Sequence, residues 1–266
     1  MTINILLFLN KLELNLKNKK VLITGSSEGI GRGIANSFLN EESKVFLIAR
    51  NETKLVSLKK KLDSQYGSNR VFIKSCDCTS LKDLLLLKKE VIKSWKNLDF
   101  LVLNVGSGKG STKNLPPIKK FQSSFSINFL SAYYTLHYFL PLINKSGVVS
   151  FISSIAGEEV IGAPTEYSVA KTALISLSKN LSRKTAKNIR FNTIIPGNIF
   201  FKNGTWDYKK KENPTEVKKM IKENVPLGRF GKPEEVGNLV VYLSSERASF
   251  INGSVIRIDG GQTLKI

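Results

Sequence analysis

Histidine and cysteine are scarce in this 266-residue chain, and their scarcity excludes several kinds of chemistry. The one histidine, His137, lies in an apolar-aromatic run and is interpreted as a packed helix residue. Histidine-activated nucleophiles and histidine-rich metal sites therefore lack their main component. Cys76 and Cys78 are one residue apart, which is typical of neither a disulfide framework nor a zinc site. On a strand end their side chains would point to opposite faces. We expect no metal and a reducing, cytoplasmic location.

Apolar runs are too short for a membrane span. The patch from Ile3 to Leu9 is far below the roughly 20 residues that a spanning helix needs. The basic start, longer apolar region and small-residue cleavage site of a signal peptide are not evident. We expect residues 1–16 to be a loosely held extension, residues 17–266 to form the domain, and no membrane partner.

Acidic residues are outnumbered, since 21 Asp and Glu stand against 41 Lys and Arg, for a formal net charge of +20. Such a charge is typical of proteins that bind nucleic acid or anionic membranes. The excess is 33 Lys against 8 Arg, spread along the whole chain. Nucleic-acid sites favour arginine, which pairs bidentately with phosphate and guanine. We therefore expect no nucleic-acid partner, and strong retention on a polyanion at high salt would support the opposite view.

Short apolar runs alternate with helix-length amphipathic segments, which predicts a parallel sheet covered by helices on both faces. The predicted fold class is α/β, a doubly wound, seven-stranded, Rossmann-type sheet in a single domain. Strands are predicted at 19–25, 44–49, 70–75, 98–104, 147–153, 189–195 and 254–258. Helices are predicted at 29–40, from 50 to about 66, and at 80–95, 121–140, 165–187 and 233–244. The stretch 198–230 is predicted to be irregular, with a short helix after Pro214.

The first strand runs into the sequence TGSSEGIG, from Thr24 to Gly31. Three glycines let the backbone turn tightly and approach a pyrophosphate, and the helix that begins there directs free N–H groups at the phosphates. Ligands of such sheets lie beyond the carboxyl ends of the strands. The turn residues expected to contact a dinucleotide are Gly25, Ser27, Glu28, Gly29, Ile30 and Gly31.

A phenol and an ammonium lie four residues apart in EYSVAKTA, at Tyr167 and Lys171. In a helix this spacing places both side chains on one face. Tyr and Lys meet at this spacing often, so the pair taken alone favours chance over chemistry.

The ordered set of motifs resembles the short-chain dehydrogenase/reductase family over roughly residues 15–262. TGSSEGIG matches its T-G-x-x-x-G-x-G turn, and LNVG at 103–106 is similar to its N-N-A-G. Further matches are Asn128, Ser154, the Y-x-x-x-K of Tyr167 and Lys171, Pro196-Gly197, PLGRFGKPEE at 226–235, and the tail DGGQ.

The resemblance implies a catalytic set. Tyr167 would donate a proton to a carbonyl or accept one from an alcohol, and the Lys171 ammonium would lower the pKa of the phenol. Lys171 would also hold the nicotinamide ribose, and Ser154 would hydrogen-bond the substrate oxygen. Asn128 would hold a water that passes protons toward Lys171.

The resemblance also implies cofactor contacts. Strand two ends at Ala49-Arg50, without the carboxylate that holds the ribose hydroxyls in NAD enzymes, so we expect NADP(H), with NAD(H) possible. Arg50 would pair with the 2′-phosphate, unless it only stacks on adenine or faces water, and Glu28 argues mildly against this preference. Asp77 and the N–H of Cys78 would hold the adenine, unless Asp77 is a helix cap. The remaining expected contacts are Asn104, Gly106, Pro196, Gly197 and Ile199.

The chain departs from the family pattern in places. Leu103 and Val105 replace residues of N-N-A-G, and Phe201 stands where the family often has a cofactor-binding Thr. Residues 198–230 correspond to the family's substrate lid. Four lid aromatics would form an apolar pocket wall or would pack the lid onto the core, namely Phe200, Phe201, Trp206 and Tyr208.

The predicted function is an NADP-dependent oxidoreductase acting on a small-molecule or carrier-bound carbonyl. By resemblance, the best substrate is a 3-oxoacyl thioester. The alternatives are a sugar or polyol oxidoreductase and a non-catalytic dinucleotide-binding regulator, against which the intact Ser154, Tyr167 and Lys171 argue. The resemblance also implies a homo-oligomer, tetramer or dimer, formed through the helices after strands four and five and the last strand. The apolar helix around 127–140 permits this, although such a helix is also compatible with simple burial.

Overall fold

Seven parallel strands form one sheet in the order β3-β2-β1-β4-β5-β6-β7 in the computed structural model. The structure describes residues 13–185 and 189–266. The strands are β1 (Lys20–Thr24), β2 (Lys44–Ala49), β3 (Val71–Ser75), β4 (Leu98–Leu103), β5 (Ile143–Ile152), β6 (Ile189–Pro196) and β7 (Val255–Ile258). The predicted fold class, a doubly wound parallel sheet in one domain, is confirmed.

Helices cover both faces of the sheet. They are α1 (Gly29–Asn40), α2 (Glu52–Tyr66), α3 (Leu81–Trp95), α4 (Ile118–Phe125), α5 (Ser131–Phe139), α6 (Thr165–Lys184), α7 (Thr205–Glu212), α8 (Pro214–Asn224) and α9 (Pro233–Ser244). Local sequence fixes several of their starts. The Asn51 and Ser80 side chains cap α2 and α3 by accepting the backbone N–H groups of Lys54 and Asp83.

Two apolar layers form the core, one on each face of the sheet. Alternation along β1 illustrates the division, because Val21 and Ile23 belong to one layer and Leu22 belongs to the other. The first layer lies under α1, α2 and α9, and the second lies under α3, α5 and α6. Strands buried on both faces explain why the sequence shows near-continuous apolar runs.

The helix predicted at 121–140 differs most from the structure. It begins at Ile118 and is interrupted by a π-helical turn over Ser126–Leu130 that separates α4 from α5. The lid segment is also more regular than predicted, since α7 precedes the expected α8. Strand β5 begins at Ile143, four residues before its predicted start.

Two predictions fall partly outside the described residues. Of the predicted extension 1–16, residues 1–12 are not described, while Leu16 is buried and Leu14 packs against the first core layer. Of the helix predicted to reach 187, residues 186–187 are not described. Within the described ranges, none of the helices has the length and apolar character needed to cross a bilayer.

The strand order reverses direction between β1 and β4. Crossovers from β1 run toward β2 and β3, whereas those from β4 run toward β5, β6 and β7. Loops that leave the two central strands therefore diverge, and a crevice opens at their carboxyl ends.

Candidate active site

A cavity of about 480 Å³ lies in this crevice at the carboxyl ends of β1 to β4. Ten of the residues predicted from the sequence to bind a cofactor line it. They are Gly25, Ser27, Glu28, Gly29, Ile30, Arg50, Asp77, Cys78, Asn104 and Gly106. The sequence motifs, which are spread over about 80 positions, thus converge on one space.

The glycine-rich turn depends on residues without a side chain. Gly25 and Gly29 have positive φ angles of 63° and 58°, a conformation that glycine adopts without strain. A Cβ at Gly31 would lie 2.4 Å from the Gly25 carbonyl oxygen and 2.6 Å from Asn104 Nδ2. Gly31 therefore lets the backbone of the turn and Asn104 pack closely, which a side chain at this position would prevent.

Asn104 ties β4 to this turn. Its Nδ2 donates to the carbonyl oxygens of Thr24 at 3.1 Å and Gly25 at 3.0 Å, and its backbone N–H donates to Thr24 Oγ1 at 2.9 Å. The asparagine predicted to contact the cofactor therefore also holds the shape of the turn. Thr24, the last residue of β1, was not singled out from the sequence, and it supplies two of the three acceptor atoms.

Ser154, Tyr167 and Lys171 are brought together where β5 ends and α6 begins. Ser154 follows β5, and its hydroxyl is hydrogen-bonded with that of Tyr167. The Lys171 Nζ lies 5.7 Å from the centroid of the Tyr167 ring and donates to the Ile152 carbonyl oxygen at 3.0 Å. The spacing of four residues in α6 thus does place phenol and ammonium side by side.

Burial governs the titration of this pair. Lys171 is only 3% exposed, and loss of solvation lowers its pKa to about 8. Burial raises the pKa of Tyr167, and the hydrogen bond with Ser154 opposes that shift. The expectation that the Lys171 ammonium lowers the pKa of the phenol is therefore not met, because desolvation outweighs the other influences on the hydroxyl.

Asn128 lies in the π-helical turn between α4 and α5 and is 1% exposed. Its Oδ1 accepts the Ser107 N–H at 2.8 Å, and its Nδ2 donates to the carbonyl oxygens of Ser107 and Ser124. A Cβ at Gly106 would lie 3.0 Å from both Asn128 Oδ1 and Lys171 Nζ. Gly106 is therefore the point at which the cavity meets the cluster of Asn128 and Lys171.

Asp77 lines the cavity, and its side chain does not cap α3. Its Oδ1 accepts the N–H and the hydroxyl of Thr79, whereas Ser80 provides the cap. The two thiols beside it are free and buried, and Cys76 and Cys78 hydrogen-bond each other. The expectation that they point to opposite faces is wrong, because residues i and i+2 of an extended segment share a face, and both thiols belong to the second core layer.

Arg50 and Glu28 face the same opening of the cavity, together with a lysine that the sequence reasoning missed. The Lys54 Nζ lies 2.8 Å from Glu28 Oε2. Lys54 lies in the first turn of α2, and no local sequence signal marks it, because its partner Glu28 is 26 residues away in the chain.

The predicted contacts after β6 lie apart from the main cavity. Pro196 ends β6, and the Gly197 N–H donates to the Ile258 carbonyl oxygen at 3.0 Å. Ile199 is buried and lines a second, smaller cavity. Phe201 reaches the main cavity instead, where a Cβ at Gly29 would lie 2.7 Å from its ring.

The lid aromatics divide between the two roles considered for them. Phe200 and Trp206 pack against Phe230, with ring centroids 5.6 and 5.5 Å apart. Phe201 lines the main cavity, whereas Tyr208 is 53% exposed.

His137, predicted to be packed, is exposed on α5. Within the described ranges, no group of three or more His, Cys, Asp or Glu side chains is placed to hold a metal ion.

Comparison with known proteins agrees with this geometry. A family model described as enoyl-(acyl carrier protein) reductase matches residues 25–263. A tropinone reductase homolog of Arabidopsis thaliana is 34% identical, over 94% of this chain and 93% of that protein. A 3-oxoacyl-(acyl-carrier-protein) reductase of Chlamydia muridarum is 32% identical, over 92% of this chain and 98% of that protein.

Solved structures give the same result. L-sorbose reductase from Gluconobacter frateurii, complexed with NADPH and L-sorbose, superposes with a TM-score of 0.89 at 29% identity. The superposition covers 96% of this chain and 100% of that one. Fold and site together define a dinucleotide-dependent oxidoreductase. The chain belongs to the short-chain dehydrogenase/reductase family.

Proposed function

We propose that this enzyme uses NADP(H) to interconvert a carbonyl and a secondary alcohol, with Tyr167 as the general acid and base. The observation that carries the proposal is the cluster of Ser154, Tyr167 and Lys171 beside a glycine-lined cavity. A protein that only binds a dinucleotide has no need of a phenol next to a buried amine.

The residues of the cavity fit a phosphorylated dinucleotide. The turn through Gly25 and Gly29 leads into α1, whose first backbone N–H groups have no helical partner and can bind a pyrophosphate. Arg50 follows β2, where NAD-selective enzymes carry a carboxylate. The structural relative complexed with NADPH supports the same choice. When bound, the nicotinamide supplies or accepts the hydride.

The protein residues supply proton transfer and positioning. The raised pKa of Tyr167 keeps the phenol protonated at neutral pH, as a proton donor to a carbonyl oxygen requires. Ser154 donates to the same oxygen and stabilises the charge that develops there. Lys171, with a pKa of about 8, is mostly protonated at pH 7 and is placed to hold ribose hydroxyls. Asn128 is proposed to hold a water that leads toward Lys171.

Replacing Tyr167 by Phe tests this assignment. The substitution removes one hydroxyl, so turnover should fall by at least about a hundredfold while NADPH affinity stays within about twofold. Stopped-flow or steady-state reduction assays and NADPH fluorescence titration give the two readings. Tyr66→Phe, at the end of α2 and away from the cavity and the proposed interface, is the matched control. A Tyr167→Phe enzyme with full turnover would refute the assignment.

The proposed substrate is a 3-oxoacyl thioester, carried by a small molecule or a carrier protein. The family description supports an acyl group on a carrier protein, and the 3-oxoacyl-(acyl-carrier-protein) reductase of Chlamydia muridarum supports the 3-oxo group. A sugar or polyol oxidoreductase is the second candidate, which the L-sorbose reductase favours. Simple ketones, 3-oxoacyl thioesters and keto-sugars should be compared with NADPH at the nicotinamide absorbance. Higher kcat/KM for a keto-sugar than for any thioester would reject the first candidate.

Residues 198–230 are proposed to form the substrate lid over the cavity. Phe201 already reaches the cavity, whereas α7 and α8 stand outside it. The ring of Phe230 packs against Phe200 and Trp206, which joins the end of the lid to its start and to α7.

A homo-oligomer, tetramer or dimer, is proposed through the outer face of α4 and α5. Four aromatic side chains pack against one another in a row at intervals of four residues, namely Phe121, Phe125, Phe129 and Tyr133. Tyr133 is 44% exposed, which leaves part of this aromatic row open to a partner.

A cytoplasmic location is proposed as well, and the free, buried Cys76 and Cys78 support it.

A further inference from the structure

Three charged side chains surround the part of the cavity that lies beside the end of β2. Arg50 and Lys54 bring positive charge to it, and Glu28 brings negative charge from the glycine-rich turn. Lys54 and Glu28 form an ion pair of 2.8 Å whose side chains are 49% and 44% exposed. This ion pair is therefore at the mouth of the cavity, in contact with solvent.

The ion pair does not serve the fold in an evident way. Glu28 stands at the start of α1, but its side chain makes no capping hydrogen bond. In the described part of the chain, Lys54 is the hydrogen-bond partner of its carboxylate. A half-exposed pair of this kind adds little to stability, so opening it costs little.

The backbone of Lys54 is anchored in the helix, whereas its ammonium is held only by the exposed ion pair with Glu28. The Lys54 N–H donates to Asn51 Oδ1 at 2.8 Å, which anchors the residue in the first turn of α2. The four-carbon stem lets the ammonium move without any change in the helix. Arg50 has no carboxylate partner among residues 13–185 and 189–266, so its guanidinium is not engaged by a competing acid.

We propose that Lys54 is a second determinant of the cofactor's 2′-phosphate and that Glu28 holds its ammonium until the phosphate replaces the carboxylate. A phosphate carries more charge than a carboxylate and has three acceptor oxygens, so it competes well for an ammonium. A cofactor without the 2′-phosphate offers no such exchange, and the Glu28–Lys54 pair stays closed. Glu28, which argued against NADP(H) in the sequence, then contributes to recognition of the 2′-phosphate.

This inference rests on the proposed cofactor and is independent of the substrate. The experiment measures binding by calorimetry, with adenosine 2′,5′-bisphosphate and adenosine 5′-monophosphate as probes and no turnover. The proteins are the wild type, Lys54→Met, Glu28→Gln, the double variant, and Lys61→Met as a control on an exposed part of α2.

Lys54→Met should weaken binding of the bisphosphate by about tenfold, the loss expected for one charge-assisted contact, and leave the monophosphate within about twofold. Glu28→Gln should tighten the bisphosphate by about threefold, because it releases the ammonium and removes a repulsive charge. The double variant should bind the bisphosphate about tenfold more weakly than Glu28→Gln alone.

Recovery of wild-type bisphosphate affinity in the double variant would overturn the inference, because Lys54 would then only neutralise Glu28. Equal losses for both nucleotides in Lys54→Met would overturn it as well. A wild-type protein that binds neither nucleotide would instead reject the proposed cofactor, and the inference with it. Matching thermal unfolding curves for all variants establish that the fold is unchanged.

Discussion

At the scale of single residues, Lys171 shows a conflict between function and stability. Its ammonium is 3% exposed and hydrogen-bonds the Ile152 carbonyl oxygen. Burial lowers its pKa from the ordinary 10.5 to about 8, so at neutral pH the folded protein holds a charge that it solvates poorly. Sites built for catalysis often carry such a cost.

Lys171→Met should therefore stabilise the protein at pH 7 while abolishing reduction. We expect a gain of about 1–2 kcal/mol in the free energy of unfolding, because the desolvation cost disappears and one hydrogen bond is lost. Urea unfolding of both proteins measures the gain. A variant that is less stable than the wild type at pH 7 would contradict this account of the site.

The pH dependence of the same comparison has a definite sign. The folded pKa lies below the unfolded value, so between about pH 8 and 10.5 the unfolded chain binds more protons. Wild-type stability should rise with pH through this window relative to that of Lys171→Met, and the advantage of the variant should shrink. A difference in unfolding free energy that stays constant from pH 7 to 10 would exclude a buried, titrating ammonium.

At the scale of elements, the connection between β1 and α1 has no space for a side chain. The place of a Cβ at Gly31 is taken by the Gly25 carbonyl oxygen and by Asn104 Nδ2. Both of these atoms also hold the turn against β4.

Gly31→Ala should destabilise the protein by about 1–3 kcal/mol, because overpacked backbone atoms must move apart. NADPH binding should weaken with it, since the turn changes shape. Gly108→Ala is the matched control, because a Cβ there meets no atom within 4 Å. Thermal unfolding and fluorescence titration of both variants give the comparison, and equal effects of the two substitutions would count against the packing argument.

The same scale shows what sequence patterns can predict. The strands and most helices followed from apolar periodicity, because a sheet buried on both faces imposes nearly continuous apolar runs. Helix α7 did not, since TWDYKKKE has no apolar stripe and takes its helical form from its place in the lid. The π-helical turn at Ser126–Leu130 was also missed, because one extra residue per turn leaves no mark in an apolar pattern.

Within the site, motif spacing predicted which residues meet, but it did not predict the direction of their pKa shifts. The pKa directions at Tyr167 and Lys171 depend on burial, which the sequence does not state. Lys54 was missed because its partner, Glu28, is 26 residues away and reaches it only through the tertiary fold.

At the scale of the whole molecule, exposed apolar side chains on three helices bear on the proposed assembly. The exposed side chains Ile118 and Tyr133 lie on α4 and α5, and Val169 lies on the adjacent α6. Exposed apolar side chains on neighbouring helices are candidates for burial in a protein interface.

Replacing Tyr133 and Val169 together by Asp should lower the assembly state, because two buried carboxylates at an interface are strongly unfavourable. Light scattering coupled to size exclusion measures the mass at several protein concentrations. Leu86→Asp is the control, since Leu86 is 51% exposed on α3 and lies outside the proposed interface. An unchanged mass for the double variant, from a wild type larger than a monomer, would place the interface elsewhere.

The strand order also sets the sequence of events during synthesis. A nascent chain that has left the ribosome only as far as β3 can pair β1 with β2 and β2 with β3, but the other edge of β1 has no neighbour. That edge stays open until β4, which ends at Leu103, has emerged. Because the glycine turn is held by Asn104, the next residue, the same moment that closes the edge also shapes the nucleotide site. Nucleotide added during translation can therefore favour folding only of chains that already extend past this point.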